Sequence, residues 1–342
     1  MKAAVLLKSK QDLVIEEIKL PEKLSFGQVL VKVFYSGICG AQINEIDAVK
    51  GKDKFLPHLL GHEGSGIVEK IGDGVTTVKK GDHVVMHWRQ GAGLQSQVPK
   101  YLLDKKIINA GWVTTFNEKA VVSENRVTKI TKSFNLKEAT LFGCSLTTGF
   151  GVVNNDANIK IGQSVIILGV GGVGLNIAQA SSLVSANPII GVDIHNHKSK
   201  IGKKLGLTHY FNNDKNLKRN LLQVLKKAKA DVVIETTGYS KLIELAYELT
   251  KDDGKTILVG VPNKNINIYS LPLHFEKILT GSHGGSSHPE KDINNYINLF
   301  KQKKISLKNL ITNEFTLKDI NKAIKLFRTG KAGRIIINME QI

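Results

Sequence analysis

Ser164-Val-Ile-Ile-Leu-Gly169-Val-Gly171-Gly172-Val-Gly174, running on into Leu175-Asn-Ile-Ala-Gln-Ala-Ser-Ser-Leu-Val184, decides how the whole chain reads. An apolar, β-favouring run enters a glycine turn of the form G-x-G-x-x-G, and a stretch of helical character follows. That order predicts a buried strand, a tight turn and a helix whose N-terminus opens at the glycines. A second apolar run, Pro188-Ile-Ile-Gly-Val-Asp193, comes next and ends on a carboxylate about 20 positions beyond the turn. Glycines permit the turn and the close approach of backbone to a pyrophosphate, while the helix N-terminus supplies N–H donors and a favourable dipole. Gly169, Gly171, Gly172, Val173 and Gly174 are therefore the expected dinucleotide loop. Asp193 would accept hydrogen bonds from the adenosine ribose and repel a 2′-phosphate, which favours NAD over NADP. Lys198, a nearby cation, works against that discrimination.

Beyond this unit the alternation continues. Further β-like runs fall at Asp231–Glu235 and Thr256–Val261, each preceded by a helix-periodic segment, Lys218–Lys227 and Lys241–Thr250. Strands alternating with helices imply an α/β fold built on a doubly wound parallel sheet. The first part of the chain is different. Met1–Leu7, Gln28–Tyr35, Ser65–Ile71, His83–His87 and Lys119–Val122 read as short strands punctuated by Gly, Pro, Asp and Asn, so this portion is expected to be mostly β. Near the end come helices at Asp292–Lys301 and Leu317–Thr329 and a strand at Arg334–Met339.

At 342 residues, with 42% apolar and 23% charged side chains, the chain has the composition of a two-domain globular protein. Two cysteines exclude a disulfide scaffold or a four-cysteine zinc module. The longest apolar stretch, Ser164–Ala180, is interrupted by glycines, Asn176 and Gln179 and is too short to span a bilayer. The N-terminus turns polar too early for a secretory signal, so cytoplasm is the expected compartment. Basic residues number 48 against 30 acidic ones, a net charge of +18, yet the lysines are dispersed and only five positions are arginine. With no basic cluster interleaved with aromatics, a dedicated nucleic-acid role is not expected. A lysine-rich solvated surface would still draw in anionic substrates.

Three residues of metal-ligand type stand between glycines: Cys39 in Ser36-Gly-Ile-Cys-Gly40, His62 in Gly61-His-Glu-Gly-Ser-Gly66, and Cys144 in Gly143-Cys-Ser-Leu-Thr-Thr-Gly149. Two thiolates and one imidazole leave the fourth tetrahedral position of zinc open, the mark of a catalytic ion. Singly, each cysteine reads sooner as a small buried hydrophobe than as a ligand; together, beside a dinucleotide turn, they read as ligands.

With GHEGSGIVEKIGDGV (61–75), KKGDHV (79–84) and GCSLTTGFG (143–151) ahead of the glycine turn, the sequence resembles the zinc-dependent medium-chain dehydrogenases of the alcohol dehydrogenase superfamily over essentially its whole length. Two cysteines and a histidine are the known catalytic-zinc ligands of alcohol dehydrogenase. The resemblance implies a GroES-like, mostly-β catalytic domain from residues 1–146 and 286–342, with a Rossmann NAD-binding domain at 147–285 between them. It implies one catalytic zinc held by Cys39, His62 and Cys144, with Glu63 behind the metal and able to approach it. Ala41 and Trp88 fall at the substrate pocket, and Arg334 where relatives reach the coenzyme pyrophosphate. The reaction implied is hydride transfer between an alcohol and NAD, giving an aldehyde or ketone.

The departures matter as much. Residues 86–111, where many relatives hold a structural zinc with four cysteines, contain none, so this lobe is expected to be held by packing around Tyr101, Leu102 and Trp112. Ala41 stands where relatives place the Ser or Thr that takes the substrate proton, Asn44 where the next carrier is often His, and Gln42 where an Asp orients the zinc histidine. His87 or Glu45, with water, would then have to assist. Polar residues near Trp88 (Gln42, Asn44, Glu45, His87) point to a hydroxylated substrate: a secondary alcohol, polyol or sugar derivative. A zinc-free quinone or enoyl reductase of the same superfamily and a non-catalytic NAD-binding protein are the rival readings. Ile266–Phe275 resembles the edge by which relatives pair, implying a homodimer or homotetramer.

Overall fold

The computed structural model describes residues 1–262 and 264–340. Its contacts divide into two units, one from Met1–Cys144, His288–Lys301 and Leu307–Ile342, the other from Ser145–Ser287 and Gln302–Ser306.

In the second unit the strand at Val165–Leu168 is buried at every residue, as expected where helices cover both faces of a sheet. Six parallel strands run in the spatial order His209–Asn212, Ile189–Asp193, Val165–Leu168, Ala230–Glu235, Thr250–Leu258 and Ile278–Gly281. The chain leaves Val165–Leu168 first to one side and later to the other. That reversal opens a crevice at the strand's carboxyl end, where the Gly172–Leu183 helix begins. Leu217, Leu221 and Leu225 of the next crossover join Ile166, Ile190 and Val233 in the core on one face.

The other unit holds two sheets. The larger runs Val127–Ile130, His83–His87, Glu63–Ile71, Gln28–Gly37, Arg334–Asn338 and Ile311–Thr316, with Lys119–Ser123 also pairing Gln28–Gly37. Arg334–Asn338 pairs antiparallel with the end of Gln28–Gly37, so the last strand of the chain lies beside the segment that leads into Cys39. Among the described residues no helix is long and apolar enough to cross a membrane.

One expectation changes. The cysteine-free lobe packs around Tyr101 and Ile108 on a Lys100–Leu103/Lys106–Asn109 hairpin, and the Tyr101 hydroxyl accepts the Val121 N–H at 2.9 Å. Leu102 and Trp112 are 42% and 43% exposed instead. Successive strand residues face opposite sides, so burying Tyr101 turns Leu102 outward. Trp112 donates its Nε1–H to the Ser96 carbonyl at 3.0 Å and lies under the Arg126 guanidinium. Within Ile266–Phe275, Pro272 sits in a short 3-10 turn, Leu271–His274, and the edge strand that follows is Ile278–Gly281. Proline has no N–H to offer a ladder.

Candidate metal and coenzyme sites

Cys39 follows the end of the Gln28–Gly37 strand and caps the Gly40–Ile46 helix, His62 immediately precedes the Glu63–Ile71 strand, and Cys144 ends the Thr140–Gly143 turn. Their ligand atoms all lie within 4.8 Å of one another. The Cys39 thiol is held well below the usual thiol range, first by hydrogen bonding with Cys144 and then by His62 and Arg334, against the opposing effect of burial. The His62 ring meets Gln42 through Nδ1, while its buried Nε2 makes no hydrogen bond among the described residues. Two soft thiols and one uncommitted imidazole nitrogen suit a single zinc ion with an open position.

Glu63, next to His62 in the chain, is fully buried and ion-paired with the buried guanidinium of Arg334. Its other oxygen, Oε2, has no hydrogen-bond partner among the described residues. Glycine makes the room: a Cβ on Gly37 would stand 2.7 Å from the Glu63 carboxyl, and one on Gly143 would stand 2.5 Å from the Met86 carbonyl and 2.8 Å from Glu63 Cβ. The Glu63 carbonyl accepts from the hydroxyls of Ser36 and Thr115, both at 3.1 Å. Neither hydroxyl was marked by the sequence, since each is one Ser or Thr among many until the sheet register joins them.

Along the helix, Ala41 and Glu45 share a face one turn apart. Burial raises the Glu45 carboxyl, and His62 and His58 act against it. His58 pairs with Asp53 at 2.7 Å, a contact with no sequence signature. Asp47 ends the helix, held by both nitrogens of the Arg328 fork at 2.6 and 2.8 Å. The Trp88 ring lies edge-on to His62 with centroids 6.5 Å apart. His87 is not available to carry a proton. Its Nδ1 donates to the Arg89 carbonyl at 2.7 Å, its Nε2 accepts from the Thr128 hydroxyl at 2.9 Å, and burial pushes it down to about 4.

In the other unit the glycines divide the labour of the turn. Gly169 has φ +96°, a conformation L side chains rarely adopt, and its missing Cβ leaves room for the Thr236 hydroxyl. Gly174 lets the helix close on the strand, since a Cβ there would overlap the Gly169 carbonyl. Gly171 has open space around it, the opening a pyrophosphate would use. Asp193 braces the turn: Oδ2 accepts the Val170 N–H at 2.9 Å and the Lys198 ammonium at 3.0 Å, and Oδ1 accepts the His195 N–H at 3.0 Å. Lys198 is therefore committed to Asp193 in a buried pair.

A dinucleotide turn in one unit and a three-ligand metal group in the other are the marks of a coenzyme-dependent metallo-oxidoreductase. Residues 172–302 match the family model of zinc-binding dehydrogenases, and residues 25–132 match that of the alcohol dehydrogenase GroES-like domain. The chain is 30% identical to an alcohol dehydrogenase of Malus domestica and 31% identical to alcohol dehydrogenase 2 of Solanum tuberosum, in each case over 99% of this chain and 97% of the relative. Among solved structures, benzyl alcohol dehydrogenase from Acinetobacter calcoaceticus superposes with a TM-score of 0.87 at 26% identity, covering 99% of both chains. The chain belongs to the zinc-dependent medium-chain alcohol dehydrogenase family. It is thereby an NAD-dependent, zinc-containing oxidoreductase of alcohols and carbonyl compounds.

Proposed function

We propose that this enzyme interconverts a hydroxylated alcohol, a secondary alcohol, polyol or sugar derivative, with its carbonyl form, in the cytoplasm and as a homodimer or homotetramer. The observation that carries the reading is the convergence of Cys39, His62 and Cys144. These three would hold the zinc, with the neighbouring Glu63 carboxylate able to approach it, in a catalytic domain of residues 1–146 and 286–342. When bound, zinc supplies Lewis-acid polarisation of the substrate oxygen. The coenzyme domain, residues 147–285, holds NAD at Gly169, Gly171, Gly172, Val173 and Gly174, with Asp193 toward the adenosine ribose and Lys198 orienting Asp193. When bound, the nicotinamide would supply the hydride acceptor for the carbinol carbon. Arg334 serves Glu63 first and contributes positive charge toward the coenzyme phosphates.

Trp88 walls the pocket, and Ala41 leaves it wider and without a hydroxyl. Asn44 and Glu45 keep the accessible side of the Gly40–Ile46 helix polar, which supports a substrate with several hydroxyls, whereas Gln42 is buried and committed to Cys39 and His62. With His87 committed, the proton leaves by water toward Glu45 and the His58–Asp53 pair. The exposed Ile278 on the edge strand, with Tyr269, Leu271 and Phe275 exposed in the segment before it, supports pairing through this region. A zinc-free reductase would have no use for the three-ligand group.

The test is metal analysis of fresh protein with NADH and NADPH titrations by fluorescence. About one zinc per chain, lost in Cys144→Ser, with NADH bound ahead of NADPH, is the expected result. Coenzyme binding without zinc would overturn the reading. Turnover confined to simple aliphatic alcohols in a substrate panel would overturn the polyol assignment.

A further inference from the structure

Gln42 is almost completely buried in the first turn of the Gly40–Ile46 helix, and its amide is used at both ends. Oε1 accepts the Cys39 backbone N–H at 2.8 Å, and Nε2 lies 2.5 Å from Nδ1 of His62. In this arrangement Gln42 donates to Nδ1, so a neutral His62 carries its hydrogen on Nε2. Nε2 is also the ring atom without a partner, the one left for a metal. A ring nitrogen that gives its lone pair to a metal cannot keep a hydrogen, so metal binding moves that hydrogen to Nδ1 and turns Nδ1 into a donor. Two donors, Cys39 N–H and His62 Nδ1–H, then converge on a side chain offering one oxygen and one NH2 group. Whichever way the amide is turned, one donor faces another.

We propose that Gln42 is a positioning residue that couples zinc loading to a change in its own hydrogen bonding. Without metal, its NH2 donates to His62 Nδ1 and its oxygen caps the helix at Cys39. With metal, the amide turns over, Oε1 accepts Nδ1–H, and the Cys39 N–H loses its acceptor. A carboxylate at position 42 would satisfy both donors at once and increase the basicity of the imidazole. Gln42 therefore sets zinc affinity about 10–100-fold below that of a carboxylate, the span typical of partners that orient a metal-binding histidine. The inference rests on reading Cys39, His62 and Cys144 as the metal ligands.

The isosteric Gln42→Glu variant, with the same reach and two acceptor oxygens, tests it. Zinc affinity is measured by competition with a chelator in wild type and variant. In parallel, 15N spectra of histidine-labelled wild type report which nitrogen of His62 carries the hydrogen, and hydrogen exchange reports the Cys39 amide, each with and without zinc. The expected results are affinity about 10–100-fold tighter in Gln42→Glu, an Nε2-to-Nδ1 change of tautomer in wild type on loading, and faster Cys39 exchange on loading in wild type alone. Equal affinities, or His62 already in the Nδ1–H form without metal, overturn the inference while leaving the zinc site intact. Absence of zinc binding in both proteins overturns the metal-ligand reading and the inference with it. Should Gln42→Glu fail to fold, the tautomer and exchange measurements on wild type decide the matter alone.

Discussion

Arg334→Met should destabilise the Met1–Cys144 unit severely, and adding Glu63→Gln should restore much of the loss. Glu63 is 0% exposed and Arg334 is 4% exposed, so each charge depends on the other and neither has water to fall back on. Removing one member of such a pair costs roughly 3–5 kcal/mol, because the survivor is left buried and uncompensated. That is a large part of the 5–15 kcal/mol that holds a typical domain together. Replacing both charges by neutral groups removes the penalty. The coupling in the double-mutant cycle should therefore reach about 2 kcal/mol or more, within the usual range for residues in contact. The assay is urea unfolding followed by tryptophan fluorescence in excess chelator, so that metal affinity does not enter. Trp88 and Trp112 are the chain's two tryptophans, and both lie in the unit that contains Glu63 and Arg334. A loss below about 1 kcal/mol for Arg334→Met, or simple additivity in the double variant, would refute the argument. If NADH affinity alone fell, Arg334 would be a coenzyme residue and not a brace for Glu63.

Gly171→Ala should leave the melting temperature unchanged and weaken NADH binding at least about tenfold, a loss near 1.4 kcal/mol, because only ligand space is filled; Gly174→Ala should lower both, since its Cβ meets the Gly169 carbonyl. Equal behaviour of the two variants would show that the loop is not the pyrophosphate site. Burial holds His87 near 4 when folded against 6.5 when unfolded, so between those values the unfolded chain alone takes up this proton and stability falls as the pH is lowered. From pH 7 to 4.5 this amounts to about 2–3 kcal/mol at 1.36 kcal/mol per unit, read as the pH dependence that disappears in His87→Asn; a His87 ring signal that titrates near 6.5 would contradict it. Ala41→Ser should shift the pH profile of hydride transfer by placing a hydroxyl one turn before Glu45, and an unchanged profile would remove position 41 from the proton route.

The sequence alone determined the local pieces. A strand, a G-x-G-x-x-G turn and a helix are specified by residues within a few positions of one another, and Gly169 and Gly174 are required by backbone conformation and packing inside that same turn. Strand alternation then made a parallel sheet the economical solution, and three glycine-flanked ligand residues pointed to zinc. Tertiary structure decided what depends on neighbours far along the chain. His87 became a buried, committed histidine only because Thr128 lies on the adjoining strand. Leu102 lost its place in the core once the pleat had buried Tyr101, and Trp112, outside that hairpin, lies under Arg126 instead. Glu63 acquired Arg334 from the last strand, and room from Gly37 and Gly143, through sheet register that no local pattern encodes. Gln42 is the sharpest case. Its identity was plain in the sequence, but the conflict between the Cys39 amide and the His62 ring exists only where the fold points both at one side chain.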